Sequence, residues 1–291
     1  MESGVTSIFV SAPDGLRLHA RCYGGRNAQR TAIVCLPGLT RTVADFAPLA
    51  TALSAHPTHP RRVIAIDSRG RGLSSYDPDP ANYSIPVELA DVLAVLTALE
   101  AMPAIFVGSS RGGLLTMLLA TTRPTAIAGA VLNDIGPVIE PQGLMRIKSY
   151  VGKLPEPRTF EEGAEILRRL FHNQFPNLGP KDWLAGAHQT FREHNKRLVT
   201  TYDPAIAKTL EGMDLERPAP PLWKEFDALG HVPVMVVRGA NSDILSSATV
   251  AAMKARRKTL EIIEVPDQGH TPLLAEPEII NSIHSFVLSC T

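Results

Sequence analysis

Five short apolar runs, "TAIVCLPG", "RVIAIDSRG", "AIFVGSS", "AGAVLNDIGP" and "VPVMVVRGA", punctuate the chain, each closed by Gly, Asp, Pro or Ser. Strands buried on both faces read this way, because neither face can carry polar residues. Between them lie helical patterns, such as "PVELADVLAVLTALEAM" with Pro86 near its start and "LLTMLLATTRP" stopped by Pro124. Strand and helix in alternation predict an α/β fold: a mostly parallel central sheet flanked by helices, with functional groups at the carboxyl ends of the strands. Ahead of these runs, "TSIFVSA" and "LRLHARCY" alternate apolar and polar residues around "PDG", as a half-exposed antiparallel edge hairpin does.

The alternation breaks between about Pro137 and Gly230. This span contains "FEEGAEILRRLFHNQF" and "KDWLAGAHQTFREHNKRLV", both helical by spacing, and Pro-rich "ERPAPPLW" (Glu216 to Trp223) reads as the returning linker. The sheet needs the strands on both sides of the break. The expected organisation is therefore a core over 1–137 and 230–291, with a helical cap inserted at 138–229 over the strand ends.

With 29 basic and 29 acidic residues the formal charge is zero, which gives no electrostatic reason for a nucleic-acid or anionic-membrane partner. No stretch approaches the roughly eighteen apolar residues of a membrane helix, and the opening "MESGVTSIFVSAPDG" carries no signal-peptide pattern. Cys22, Cys35 and Cys290 are too few and too scattered for a disulfide framework or a zinc site. A cytoplasmic protein with no metal and no cofactor is expected, and the sequence leaves its oligomeric state open.

Chemistry enters at "AIFVGSSRGGLL". A G-x-S-x-G turn between strand and helix lifts its central side chain out of the backbone, and the flanking glycines let neighbouring chains pass closely. Centring on Ser109 would put Val107 and Arg111 at the glycine positions. Ser110, between Gly108 and Gly112, is the candidate nucleophile, and Ser109 its packed neighbour. A serine hydroxyl needs a base, an orienting acid and a site for the oxyanion. In "IIEVPDQGHTPLLAEP" His270 lies just past the last strand and is the candidate base. For the acid, Asp243 follows the strand 232–238 and Asp134 follows the strand 128–132. The Pro-Gly turn of "CLPGLTR" can point the Leu39 amide at the site, and the Arg111 amide opens the following helix, where the dipole favours negative charge. His56 and His59, in "AHPTHPRR", read as a solvated loop, because two prolines interrupt it and no carboxylate is near.

Taken together, "LPGLTR", "AIDSRGRGLS", "VGSSRGG", "RGANSDI" and "DQGHTP" make the chain resemble the capped, cofactor-free α/β-hydrolases over nearly its whole length. The resemblance implies a Ser110–Asp243–His270 triad in the family's chain order. Asp134 is the alternative acid found in some esterases of this fold. It implies Leu39 and Arg111 as oxyanion donors, and a structural role for the Asp67–Ser74 loop. Pro37 stands where many members carry His. The implied activity is hydrolysis of a small-molecule carboxylic ester, lactone or thioester. Carbon–carbon bond hydrolases and cofactor-free haloperoxidases share the serine triad, and some members serve as non-catalytic ligand receptors. Ser110 in place of an elbow Asp argues against dehalogenase and epoxide hydrolase chemistry.

Overall fold

The five apolar runs form the middle of an eight-stranded sheet. In the computed structural model, which describes residues 4–25, 30–211 and 219–290, they become β3 (Ala32–Leu36), β4 (Val63–Asp67), β5 (Ala104–Ser109), β6 (Ile127–Asn133) and β9 (Val234–Gly239). All but Ala128 among their residues are buried. The edge hairpin is β1 (Val5–Ser11) and β2 (Arg17–Tyr23), and β10 (Glu261–Val265) closes the other side. The strand order is β1-β2-β4-β3-β5-β6-β9-β10. The pairs β1/β2 and β2/β4 are antiparallel and every other pair is parallel.

Period-two alternation along these strands feeds two separate cores. Val34, Phe106 and Leu132 face one cluster, whereas Cys35, Val107 and Val131 face the other. Helices cover both: α2 (Ile85–Ala98), α3 (Arg111–Thr122), α7 (Trp223–Ala228) and α8 (Ser247–Arg256) on the first side, α1 (Ala47–Ser54) and α9 (Pro277–Ser289) on the second. Parallel strands bring their carboxyl ends to one edge, so Leu36, Asp67, Ser109, Asn133 and Gly239 end at the same rim.

Between β6 and β9 the chain runs through α4 (Pro141–Tyr150), α5 (Phe160–Phe171), α6 (Pro180–Thr190) and a 3-10 stretch at Pro204–Leu210. The helix expected over Lys181 to Val199 stops at Thr190, and the rest is a hairpin of β7 (Phe191–His194) and β8 (Arg197–Thr200). Asn195 and Lys196 both take positive φ, 50° and 62°. That is the pairing a two-residue type I′ turn demands, and a helical pattern cannot supply it. Of the expected linker, Glu216 to Pro218 lie outside the described residues. No helix among the described residues is long and apolar enough to cross a membrane.

Candidate active site

Ser110 sits at the junction of β5 and α3 with φ 50° and ψ −113°, a conformation that costs an L-residue on the order of 1–3 kcal/mol. The glycines on either side make the turn sterically possible. A Cβ at Gly112 would stand 2.0 Å from the Leu36 carbonyl oxygen, and one at Gly108 would stand 2.6 Å from the Gly112 carbonyl carbon. The turn is locked from below, where the Ser110 amide donates to the Asn133 carbonyl (2.9 Å). Ser109 points the other way: it is buried, and its hydroxyl accepts from the Asn133 side-chain amide (2.9 Å).

His270, five residues past β10, reaches back so that its Nε2 lies 2.8 Å from Ser110 Oγ. Its Nδ1 lies 2.7 Å from Asp134 Oδ2. A carboxylate only accepts, so Nδ1 carries the hydrogen; in the neutral ring Nε2 is then the acceptor and the Ser110 hydroxyl the donor. Gln174, just after α5, accepts from the His270 amide (3.3 Å).

The acid position corrects the sequence expectation. Asp134, at the end of β6, is fully buried and also accepts from the Gly239 amide (2.9 Å) and the Ser242 hydroxyl (2.6 Å). Asp243 instead takes Arg146 of α4 in a two-point pair, Oδ2 to Nε at 2.6 Å and Oδ1 to Nη2 at 2.9 Å. Burial works to raise the Asp243 carboxyl, yet Arg146 holds it below the ordinary carboxylate range. Asp134 and Asp243 follow adjacent, paired strands, Asn133 standing opposite Val237. Only the first is turned toward the imidazole.

Gly38, which precedes Leu39, and Arg111, which follows Ser110, border the serine: a Cβ at Gly38 would lie 3.7 Å from the Ser110 Cβ. Arg111 is the first residue of α3, so no helix carbonyl can accept its N–H. Neither the Leu39 nor the Arg111 amide donates to an acceptor among the described residues. Both segments hang from one buried carboxylate that motif reading missed. Glu88, 1% exposed, accepts from Arg71 Nη1 and from Arg111 Nε, each at 2.6 Å. Arg71 Nε in turn donates to the Leu39 carbonyl (2.8 Å). Burial pushes the Glu88 carboxyl up, and the two guanidinium groups more than offset it. The sequence signal available was an acidic residue on the buried face of α2.

A second Ser-His-Asp chain lies across the edge hairpin. His19 Nδ1 is 2.7 Å from Asp67 and its Nε2 is 3.0 Å from the exposed Ser7 hydroxyl. Ser7 lies in regular strand and opens no helix, so the waiting helix amide found beside Ser110 is missing there. The Asp67 carboxylate also accepts from the Val43 and Leu73 amides (2.8 and 3.1 Å), which gives this trio a structural task, shaping the Asp67–Ser74 loop. At the opposite end of the sheet, His56 and His59 from the α1–β4 loop meet His284 of α9, with ligand-capable nitrogens within 4.8 Å of one another. Of the three, His56 and His59 are the histidines that the sequence reads as loop. Together the three form an imidazole donor set far from Ser110.

Residues 33–283 match the sequence model of the "Alpha/beta hydrolase family". The chain belongs to the alpha/beta hydrolase family. A crystal structure of an alpha/beta hydrolase from Novosphingobium aromaticivorans superposes with a TM-score of 0.91 at 38% identity, covering 99% of this chain and 100% of the other. The 3-hydroxybutyrate-oligomer hydrolase of Cupriavidus necator is 34% identical over 283 residues, 91% of each chain. A pimeloyl-[acyl-carrier protein] methyl ester esterase of Xanthomonas campestris is 26% identical over 88% of this chain and 94% of its own. This alpha/beta hydrolase is accordingly an ester-acting hydrolase.

Proposed function

We propose that the protein hydrolyses a small carboxylic ester through an acyl-enzyme on Ser110, with His270 as base and Asp134 as the orienting acid. The unbroken chain from Ser110 Oγ through the imidazole to the Asp134 carboxylate carries the reading. As Ser110 Oγ bonds to the substrate carbonyl carbon, its proton passes to His270 Nε2 and the carbonyl π pair moves onto oxygen. Asp134 holds the imidazolium that forms. The Leu39 and Arg111 amides receive the oxyanion, assisted by the positive end of α3. Collapse expels the alkoxide, which takes the proton from Nε2. Water then repeats the sequence on the acyl group and frees Ser110. The segment between β6 and β9 serves as the cap over this site. Because the Cupriavidus relative is named for 3-hydroxybutyrate oligomers, short hydroxy-acid esters are the substrates to try first.

Fluorophosphonate labelling combined with a panel of p-nitrophenyl esters tests the assignment. Ser110→Ala should abolish both labelling and turnover, whereas Ser109→Ala should keep most of both. A folded Ser110→Ala variant that still labels would overturn the nucleophile assignment, and labelling of the wild type without turnover of any ester would favour a ligand receptor.

A further inference from the structure

Besides Arg111, two further arginines near the site, Arg41 and Arg146, differ in one respect. Arg41, whose stem flanks Gly38 beside Ser110, is fully engaged: Nε and Nη2 hold Asp45 at 2.6 and 2.9 Å, Nη1 reaches Thr190 at 3.5 Å, and Nη2 also reaches Gln189 at 3.3 Å. Arg146 is not. Its Nε and Nη2 hold Asp243, but Nη1 is shielded from solvent and has no hydrogen-bond partner among the described residues. Two N–H donors shielded from water and left without a hydrogen bond are an uncompensated cost, even with the Tyr150 phenol beside the guanidinium. They lie in the neighbourhood of the reacting groups, because Ser242, next to the Asp243 that Arg146 holds, donates to Asp134 Oδ2 at 2.6 Å, and the same oxygen lies 2.7 Å from His270 Nδ1.

We propose that Arg146, pinned by Asp243, is the receptor for a carboxylate group on the substrate, so that the enzyme acts on esters that carry a free acid. This inference rests on the serine-ester reading above. The geometry of the fork selects the ligand. With the Nε–Nη2 edge occupied, the remaining edge is Nη1 with the second hydrogen of Nη2, two parallel donors spaced to fit the two oxygens of a carboxylate. A lone carbonyl or hydroxyl satisfies only one of them. Asp243 already balances the Arg146 charge, so an incoming anion makes an alternating carboxylate–guanidinium–carboxylate row. Tyr150, one helical turn after Arg146 on α4, adds a neutral phenol, since burial pushes its ionisation up. Asp243 is thereby a positioning residue. It fixes which edge of the guanidinium is presented.

The 4-nitrophenyl monoester of adipic acid and its methyl ester, which masks the acid at nearly the same size, form the test pair. The wild type should favour the free acid by about 10- to 100-fold in kcat/KM, expressed in KM, the range that one charge-assisted fork supports. Arg146→Met should bring that ratio close to one. Asp243→Asn should lower it partway, through KM for the acid. Should Arg146→Met fold poorly, the wild-type ratio and the Asp243→Asn ratio still decide. A wild-type ratio near one, or equal losses on both esters in a variant whose Ser110 still takes the fluorophosphonate, overturns the carboxylate receptor while leaving the serine reading intact. No labelling of Ser110 and no turnover of either ester overturns both.

Discussion

Asp134 holds its place against His270 because three donors converge on it: the Gly239 amide, the Ser242 hydroxyl and the imidazole Nδ1–H. Asp134→Asn keeps the shape but offers an N–H where an acceptor is needed, forcing the wrong tautomer on the ring. It should cost on the order of 10⁴ in kcat, as loss of the acid's acceptor does in serine proteases. Asp243→Asn should cost far less in kcat on a neutral ester, because that carboxylate bonds Arg146 and not the imidazole. Steady-state kinetics on one p-nitrophenyl ester compares the two, and a larger kcat loss at Asp243 would return the acid role to it. Ser110 and His270 were legible in the sequence because each is marked by its own neighbours, the glycines of the elbow and the Gly-His pair after the last strand. The acid was not. Asp134 directly follows β6 and Asp243 lies four residues past the end of its parallel neighbour β9, so both stand beyond adjacent strand ends. What separates them is Arg146, 97 positions from Asp243 along the chain, which no local pattern connects to it.

Between elements, the site depends on α2 although α2 contributes nothing to the reacting groups. Glu88 projects from its buried face and ties the β3–α1 loop, through Arg71, to the first turn of α3, through Arg111. Both proposed oxyanion amides are thus hung from one carboxylate. Glu88→Gln should destabilise the fold by about 3–5 kcal/mol, the range for removing one partner of a buried ion pair. It should also lower kcat by about 10- to 100-fold with little change in KM, as donors displaced by fractions of an ångström do. Urea unfolding and steady-state kinetics measure the two effects. The pH dependence has a definite sign. Glu88 is held below its ordinary value in the folded protein, so its stabilisation is present above the unfolded carboxylate pKa of about 4.3 and is lost as pH falls through the lower folded value. Glu88→Gln should flatten that acid limb, and an unchanged limb would mean that Glu88 is not ionised in the fold. The elements themselves were largely readable, since apolar runs buried on both faces leave strands and helices in strict succession. The β7–β8 hairpin escaped because its signal is two positive φ angles at Asn195 and Lys196, residues that also fit a helix surface.

At the scale of the molecule, the inserted segment divides into two parts with different attachments. Ile147 and Val151 of the α4 region and Tyr202, Ile206 and Leu210 near the 3-10 stretch belong to the same apolar cluster as the sheet. That part cannot leave without opening the core. The α5–α6 pair has a cluster of its own, Leu167, Phe175, Trp183 and Ala187 packed with Phe191 and Leu198. Its links to the sheet rim are long or solvent-exposed polar contacts: Gln174 to the His270 amide at 3.3 Å, Asn241 to the Gln174 carbonyl at 3.2 Å, exposed Asn177 to Asp267 at 2.9 Å, and Arg41 to Thr190 and Gln189 at 3.5 and 3.3 Å, while the Phe171 ring meets Tyr150 of α4 edge-on. Contacts of this kind contribute on the order of 1 kcal/mol each or less. The α5–α6 unit should therefore swing away as a body while α4 stays seated. Opening would uncover His270 and Ser110, yet leave Arg146 and Asp243 in place to receive substrate. Native-state hydrogen exchange tests this directly. Amides of α5 and α6 should exchange through a shared sub-global opening, with protection well below that of β5, β6 and α4. Protection of α5 and α6 equal to that of the central strands would mean that the insertion opens only with global unfolding, and that substrate must enter by another route.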